Sequence, residues 1–253
     1  MVRLGATACL VAAVAAAAGC GSDRATRGEG TVTVVATTGP VADIVRNAGG
    51  ARVEVTALVP PATYPHGWRP DGRDLAALRD ADLVVRAGGG FDAWAESGAE
   101  RVLALLPRID PLGTDPHWWH DPVRVQSAAK EIRNELARVD VDGAGYYEAA
   151  TADFLERLRR LHEDIAICLS LVEPPLPRLA AWHDGFAYFD DRYGTRITAA
   201  GRNGGDSGVT RLWSDALAKP PEPAATYLGA MAVNTAEIVT ALSRGEETCR
   251  PRP

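Results

Sequence analysis

The sequence predicts an α/β protein in which two parallel-sheet lobes are joined by one long linking helix and the second lobe is trimmed. Three observations support this prediction. Short β-rich runs alternate with helical segments on both sides of the middle of the chain, which is the pattern of parallel βαβ units. The central segment, residues 145–169, carries one apolar stripe at helical spacing. A length of 253 residues suits one large domain or two small ones, each with its own core.

The first 20 residues have the features of an export signal. They combine a basic start with a short alanine-rich apolar run, whereas a membrane span needs roughly 20 predominantly apolar residues. Residues 17–20 (AAGC) resemble a bacterial lipobox, a signal whose cysteine is lipidated and becomes the mature N-terminus. We therefore expect a lipoprotein signal peptide at 1–20, a flexible tether at 21–31, and an exported protein that Cys20 anchors to the outer face of the cell membrane. The alternative is a plain signal peptide in which Cys20 is incidental.

The first predicted lobe covers residues 32–143. Its strands are expected at 32–37, 53–58 and 83–85, and its helices at 41–47, 71–80 and 122–139. Asp121 directly precedes Pro122, and this pair predicts an N-cap followed by proline at the first helical position. The three glycines at 88–90 are expected to turn into a further helix that carries Phe91 and Trp94.

The linking helix is expected within residues 144–173, and the shortened C-terminal lobe within 174–253. The apolar stripe of the helix consists of Phe154, Leu158, Leu161, Ile165 and Cys168. Prolines at 174, 175 and 177 end the helix. In the second lobe, strands are expected at 178–182, 196–199 and 209–213, and helices at 185–193 and 225–242. Asp184 is the expected N-cap of the first of these helices.

The cysteines are consistent with an oxidising compartment. Cys9 leaves with the signal peptide and Cys20 is the candidate for lipidation, which leaves Cys168 and Cys249 as an even pair. A disulfide between them would tie the C-terminal tail to the end of the central helix. Two free buried thiols are the alternative.

Charge and motifs exclude several classes of function. The formal charge is 27 − 33 = −6, and the pI near 5.4 argues against nucleic acid, because duplex binding normally needs a basic face. The chain contains neither an HExxH nor a Gly-x-Ser-x-Gly motif, so the common metalloprotease and serine hydrolase signatures are absent. We therefore expect a protein that is not an enzyme. We also expect a monomer.

Three of the five histidines lie just beyond a strand or in a loop rich in proline or aspartate. They are His66, His117 and His183, and Asp215 follows the strand at 209–213 in the same way. Open α/β sheets bind ligands at the carboxyl ends of their strands, and three imidazoles with one carboxylate form a plausible tetrahedral Zn²⁺ set. His162 is expected on the surface of the central helix. His120 either joins the site or precedes the helix cap.

Six segments, in order along the mature chain, resemble the metal-binding lipoproteins of bacterial zinc/manganese ABC importers, the ZnuA/TroA-like (cluster A-I) solute-binding proteins. They lie at 33–49, 65–85, 115–122, 183–194, 212–217 and 226–242. The most specific is DPHWWHDP at 115–122, which is similar to the Asp-Pro-His-x-Trp-x-Asp-Pro signature of the family. The resemblance implies four metal ligands, namely His66, His117, His183 and Asp215. It favours Zn²⁺ over Mn²⁺, because manganese-binding members tend to have Glu at the third position.

The resemblance implies a protein that captures a divalent metal ion between two lobes and delivers it to an ABC permease. Two departures from the family pattern bear on this expectation. Little sequence separates His183 from Asp215, so the second lobe is trimmed, and the His-rich loop that many zinc members carry before the second ligand is absent. Two alternatives stay open: a degenerate paralogue that acts as a metal buffer or chaperone, and a secreted zinc hydrolase.

Overall fold

The computed structural model describes residues 31–96, 99–200 and 208–252, together with Met1. The predicted signal peptide, most of the tether and the lipidation candidate Cys20 lie outside the described residues. Among the helices that are described, none combines the length and the apolar character that crossing a membrane requires.

The first lobe is built on a four-stranded parallel sheet with the order β2-β1-β3-β4. Its strands are β1 (Val32–Ala36), β2 (Val53–Ala57), β3 (Leu83–Arg86) and β4 (Val102–Ala104). The central strand β1 is flanked on both sides, and Val34 pairs with Val55 on one neighbour and with Leu83 on the other. The inner strands β1 and β3 are mostly buried apolar runs, as expected for a parallel sheet covered on both faces, whereas the edge strand β2 alternates between half-buried and exposed residues.

Three α-helices are described in the first lobe, and each begins at a side-chain cap. They are α1 (Gly39–Gly49), α2 (Gly72–Asp80) and α3 (Pro122–Val139), capped by Thr38, Asp71 and Asp121. The predicted cap at Asp121 is confirmed, since its Oδ1 accepts a hydrogen bond from the Val123 N–H at 2.9 Å. Short 3₁₀ turns lie between these elements at Gly50–Arg52, Ala93–Glu96, Leu106–Arg108, Trp118–His120 and Val141–Gly143. A further 3₁₀ turn, Pro223–Ala225, lies in the second lobe.

The long helix α4 (Ala144–Leu169) packs against α1, α3 and α6, so it contacts elements of both lobes. The five residues of its predicted apolar stripe are all at most 2% exposed. Burying a Leu side chain contributes about 1.5–3 kcal/mol, so this stripe is a main source of the stability that holds the lobes to the helix.

The second lobe is small. Its three parallel strands are β5 (Leu179–Ala181), β6 (Ile197–Ala199) and β7 (Val209–Thr210), in the order β6-β5-β7. Two helices accompany this sheet, α5 (Ala187–Tyr193) and α6 (Tyr227–Leu242). The predicted α/β architecture with parallel sheets in two lobes is therefore confirmed, and the second sheet is short within the described residues.

The loop at 88–96 differs from the prediction, because it forms only the 3₁₀ turn Ala93–Glu96 instead of a helix. All three glycines at 88–90 have positive φ, and a Cβ at Gly88 would lie 2.6 Å from the Leu106 Cβ. The buried Asp92 carboxylate holds this loop, because it accepts hydrogen bonds from the Thr37 hydroxyl at 2.9 Å and from the Gly88 N–H at 3.2 Å. The strand β4 that follows was not anticipated.

Two further predictions in the second lobe are wrong. Asp184 does not cap α5, which begins at Ala187 without a side-chain cap. The strand expected at 209–213 ends at Thr210, because the backbone of Trp213 pairs with a side chain instead of a neighbouring strand. The Asn234 amide on α6 accepts from the Trp213 N–H at 2.8 Å and donates to the Trp213 carbonyl at 2.7 Å.

A disulfide joins Cys168 near the end of α4 to Cys249 in the C-terminal tail, with the two Cα atoms 5.3 Å apart. The alternative of two free thiols is therefore not what the structure contains. The bridge closes a loop of sequence separation 81, and this loop contains the second lobe from β5 to α6.

We predict that the double variant Cys168→Ala/Cys249→Ala lowers the free energy of unfolding by about 4 kcal/mol, because the cross-link removes chain entropy from the unfolded state. Urea denaturation of the purified protein measures this loss. Dithiothreitol should weaken the wild-type protein by a similar amount and leave the double variant unaffected. An unfolding energy that the double substitution does not change would contradict the prediction.

Candidate metal centre

The four predicted ligand residues converge on one point between the lobes. His66 lies in the loop after β2, and His117 lies in the long connection after β4. His183 follows β5 by two residues, and Asp215 lies beyond the end of β7. One nitrogen or oxygen atom from each residue lies within 4.8 Å of all the others. Each lobe therefore provides two side chains from the carboxyl-terminal side of its sheet.

The distances between these atoms are those expected around a single ion. The Nε2 atom of His117 lies 3.2 Å from the Nε2 atoms of both His66 and His183. The Asp215 Oδ1 atom is 2.9 Å from the His117 Nε2 and 3.2 Å from the His66 Nε2. The Asp215 Oδ2 atom is 3.4 Å from the His183 Nε2. Four ligands at about 2.0–2.1 Å from a tetrahedral centre lie about 3.3–3.4 Å from one another.

Proton sharing alone does not account for this arrangement. An imidazole nitrogen carries at most one proton, so it can donate to one neighbour but not to three at once. Here the His117 Nε2 faces two other imidazole nitrogens and a carboxylate oxygen at once. A cation placed among them would accept a lone pair from every one of these atoms, so the geometry is suited to a positive ion.

The electrostatic environment keeps the carboxylate charged. Burial opposes ionisation of Asp215, but hydrogen bonds from His117, His183 and His66 outweigh it and hold the pKa of this carboxyl well below its usual range. Burial likewise lowers the pKa of His117, but hydrogen bonds to Asp115 and Asp215 outweigh burial and raise that pKa to about 9. His117 and Asp215 are about 5% exposed, whereas the side chains of His66 and His183 keep 28% and 23% exposure.

Asp115 orients the His117 ring, a role that sequence reasoning missed. Its Oδ1 atom lies 2.6 Å from the His117 Nδ1 and also accepts the His117 backbone N–H at 3.0 Å. A proton on Nδ1 is thereby directed to Asp115, and the Nε2 lone pair is directed into the cluster. The spacing of Asp115 and His117 in the DPH motif was a usable signal, since an Asp side chain readily bonds the backbone two residues on.

His120 lies outside the cluster and contacts the backbone of Ser214, the residue before Asp215. Its Nε2 lies 2.9 Å from the Ser214 carbonyl oxygen, and its ring packs on Phe186 with centroids 4.3 Å apart. Complete burial lowers the pKa of His120 to about 3, so the ring is neutral and Nε2–H is the donor. The Trp119 indole N–H donates to the same Ser214 oxygen at 2.7 Å. The remaining histidine, His162, shares a hydrogen bond of 3.0 Å with the Tyr193 hydroxyl.

Aromatic rings surround the exposed side of the cluster. The ring of Tyr64, which is 56% exposed, lies 5.1 Å from the His66 ring and 5.4 Å from that of His183. Phe91 lies 5.2 Å from the His66 ring, so the glycine-rich loop at 88–96 contributes to the wall. An open cleft of about 170 Å³ begins beside Asp215 between residues 62–64 and 212–216.

Gly185 has to be a small residue because of the cluster. A Cβ atom at this position would lie 3.1 Å from the His183 Cδ2 and 3.2 Å from the His117 Cδ2. These distances are tighter than most real Cβ contacts, so the absence of a side chain lets the two rings approach each other.

Residues 34–207 match the family described as ZnuA, zinc-uptake complex component A, periplasmic. The manganese-binding lipoprotein MntA of Halalkalibacterium halodurans is 31% identical over 192 residues, which cover 70% of this chain and 64% of the relative. The high-affinity zinc uptake system protein ZnuA of Bacillus subtilis is 23% identical over 189 residues, which cover 64% of this chain and 59% of the relative. The chain thus spans about three fifths of the length of these two curated relatives.

Solved structures share the fold. The periplasmic zinc-binding protein TroA from Treponema pallidum matches with a TM-score of 0.76 at 20% identity, over 85% of this chain and 100% of that one. The manganese-bound periplasmic metal-binding protein from Candidatus Liberibacter asiaticus matches with a TM-score of 0.74 at 18% identity, over 84% of this chain and 100% of that one.

We predict that the two donors to the Ser214 carbonyl are energetically coupled. His120→Phe and Trp119→Phe each leave this oxygen with one partner, so each should lower the free energy of unfolding by about 1 kcal/mol through the lost hydrogen bond. The double variant leaves the oxygen with neither donor and should cost more than the sum of the single losses. Urea denaturation of the metal-free protein measures the cycle. Strictly additive losses would show that the two donors do not act on a common acceptor.

Proposed function

This chain belongs to the zinc-uptake complex component A (ZnuA) family, and from that premise we propose that it is the substrate-binding component of a metal ABC importer. The family consists of solute-binding proteins of ABC transporters and not of enzymes, which agrees with the prediction of a non-enzyme. In this role the metal ion is the cargo. The protein binds it between the lobes and passes it to a membrane permease.

The proposed ligands are His66, His117, His183 and Asp215. The observation that supports them is the convergence of three imidazole nitrogens and a carboxylate within 4.8 Å of one another, with five of the contacts at 2.9–3.4 Å. Four protein ligands complete a tetrahedral sphere, whereas a catalytic zinc keeps one position open for water. The hydrolase alternative therefore has no support in this arrangement.

The proposed cargo is Zn²⁺, with Mn²⁺ as the weaker competitor. The relatives carry names for both metals, such as manganese-binding MntA and zinc uptake protein ZnuA. Three nitrogen donors and one carboxylate favour zinc, because manganese suits oxygen-rich octahedral sites and lies lowest in the affinity order for divalent ions.

The proposed location is the outer face of the cell membrane, with Cys20 as the lipidated residue and a monomer as the working unit. Several relatives are named lipoproteins, including the MntA proteins. The protein would then meet a permease in the same membrane.

One observation favours a second candidate, a metal buffer or chaperone that serves no permease. The second sheet, as described, has three strands of at most three residues. The chain also spans only about three fifths of the length of two curated relatives. Growth in zinc-depleted medium separates the two roles. Deleting the gene should impair growth in either role. In a strain that lacks the permease, the deletion should have no further effect on growth if the protein is an importer component, and should still impair growth if it is a buffer or chaperone.

We predict one tight Zn²⁺ per chain, bound much more strongly than Mn²⁺, and an affinity loss on the order of 100-fold or more in His117→Ala and in Asp215→Ala. Each substitution removes a ligand and leaves three. Calorimetric competition titration of the metal-stripped protein, with native mass spectrometry for stoichiometry, measures both quantities.

His162→Ala is the matched control for this titration, because it removes an imidazole that lies outside the cluster and should leave zinc binding unchanged. If zinc binding is lost with His117→Ala but kept with Asp215→Ala, the second lobe does not supply the carboxylate. If the wild-type protein binds no stoichiometric metal, the proposed function is wrong.

We predict that Cys20→Ala moves the protein from the membrane fraction to the soluble extracytoplasmic fraction, because the lipid anchor has no attachment site. Cys9→Ala is the matched control, since that cysteine belongs to the part of the signal that is removed. Cell fractionation and immunoblotting give the distribution. Equal membrane association of both variants would contradict lipidation at Cys20.

A further inference from the structure

We propose that Ser214 determines metal specificity at this site, because its hydroxyl group occupies one carboxylate oxygen of Asp215 and leaves the other to coordinate the ion. The inference rests on the proposed function. It assigns to a residue outside the ligand set the role of favouring zinc over manganese, and Ser214 acts as a positioning residue because it works through Asp215.

The two oxygens of Asp215 have different surroundings. Its Oδ1 atom lies 2.9 Å and 3.2 Å from the Nε2 atoms of His117 and His66, so it faces the centre of the cluster. Its Oδ2 atom accepts a hydrogen bond from the Ser214 hydroxyl at 2.8 Å and is farther from the nearest imidazole, 3.4 Å from the His183 Nε2. Oδ1 therefore faces two of the three rings, whereas Oδ2 lies between the Ser214 hydroxyl and the His183 ring.

The backbone that carries the Ser214 side chain is held by contacts on both sides of it. The Ser214 carbonyl accepts from the Trp119 indole at 2.7 Å and from the His120 ring at 2.9 Å, and both donors belong to the first lobe. The preceding residue, Trp213, is held through its backbone by the Asn234 side chain on α6. The backbone around Ser214 is thus held by both lobes, and this places the side chain beside Asp215.

The number of oxygens that Asp215 offers matters differently for the two metals. A tetrahedral zinc site with three imidazoles needs only one more donor, so a monodentate carboxylate satisfies it. Manganese prefers six oxygen-rich positions, and in this site it would gain most from binding both carboxylate oxygens. A hydroxyl that already donates to Oδ2 weakens this oxygen as a ligand and opposes the rotation that bidentate binding requires. The hydrogen bond therefore weakens the binding of manganese and not that of zinc.

The test compares Ser214→Thr with Ser214→Val, two side chains of nearly the same shape that differ in the hydroxyl group. Ser214 lines the open cleft beside Asp215. Dissociation constants for Zn²⁺ and Mn²⁺ are measured by competition titration on the full metal-stripped chain. We expect the ratio of the manganese constant to the zinc constant to fall about five- to tenfold in Ser214→Val and to stay near the wild-type value in Ser214→Thr.

A second measurement reports on the coordination itself and does not depend on affinity. The visible absorption of the Co²⁺-loaded protein is intense for four-coordinate cobalt and weak for higher coordination. We expect wild type and Ser214→Thr to give the intense spectrum and Ser214→Val to lose part of that intensity, since Oδ2 becomes free to bind.

Each outcome has a defined meaning. Equal weakening of both metals in Ser214→Val, or a ratio that does not change, would overturn the inference and leave Ser214 with a structural role only. A fall in the ratio for both variants would also overturn it, because the hydroxyl would then not be the cause. If the wild-type protein itself binds neither metal stoichiometrically, the proposed function fails first.

Discussion

The structure depends on a buried carboxylate that is surrounded by three imidazole rings. Asp215 is about 5% exposed, and a charged group at such depth is costly unless positive charge compensates it. Its partners come from two separate sheets, so the site exists only when both lobes are correctly placed. The carboxyl ends of four strands, the long helix between the lobes and the contacts across the interface all contribute to this placement. The four-residue cluster and the tertiary fold are therefore one energetic unit.

Polar contacts away from the four proposed ligands hold the two lobes against each other. The Asp43 carboxylate on α1 accepts the first N–H of α6, that of Tyr227, at 2.9 Å, so a residue of one lobe caps a helix of the other. The fully buried Asp121 also pairs with Arg192 of α5 at 2.8 Å. Together with the Ser214 carbonyl and its two donors, these contacts form three separate polar links. A relative movement of the lobes large enough to open the site would break buried hydrogen bonds, which favours small movements.

Much of the fold was predictable from local patterns, and the errors have identifiable physical causes. The apolar stripe of α4 is a pattern that repeats along the helix. The Asp121-Pro122 pair strongly constrains where α3 begins. β4 has only three residues, too few for a periodic pattern, and the 3₁₀ turn after the glycines depends on Asp92, which bonds to Thr37 at 55 residues' separation. Strand ends pointed to His66, His117 and His183, but only the family resemblance chose them over His120. The Ser214 contacts span about 95 residues and leave no local trace.

The disulfide has a consequence for the survival of the protein outside the cell. Because Cys168 and Cys249 enclose the whole second lobe, the segment between them is a covalently closed ring attached to the end of α4. A protease that cuts once in any loop of this ring opens the chain but releases no fragment. Both His183 and Asp215 lie inside the ring, so a singly nicked molecule still carries all four proposed ligands. An exported protein with a small second lobe is thereby protected against the loss of that lobe by a single cleavage.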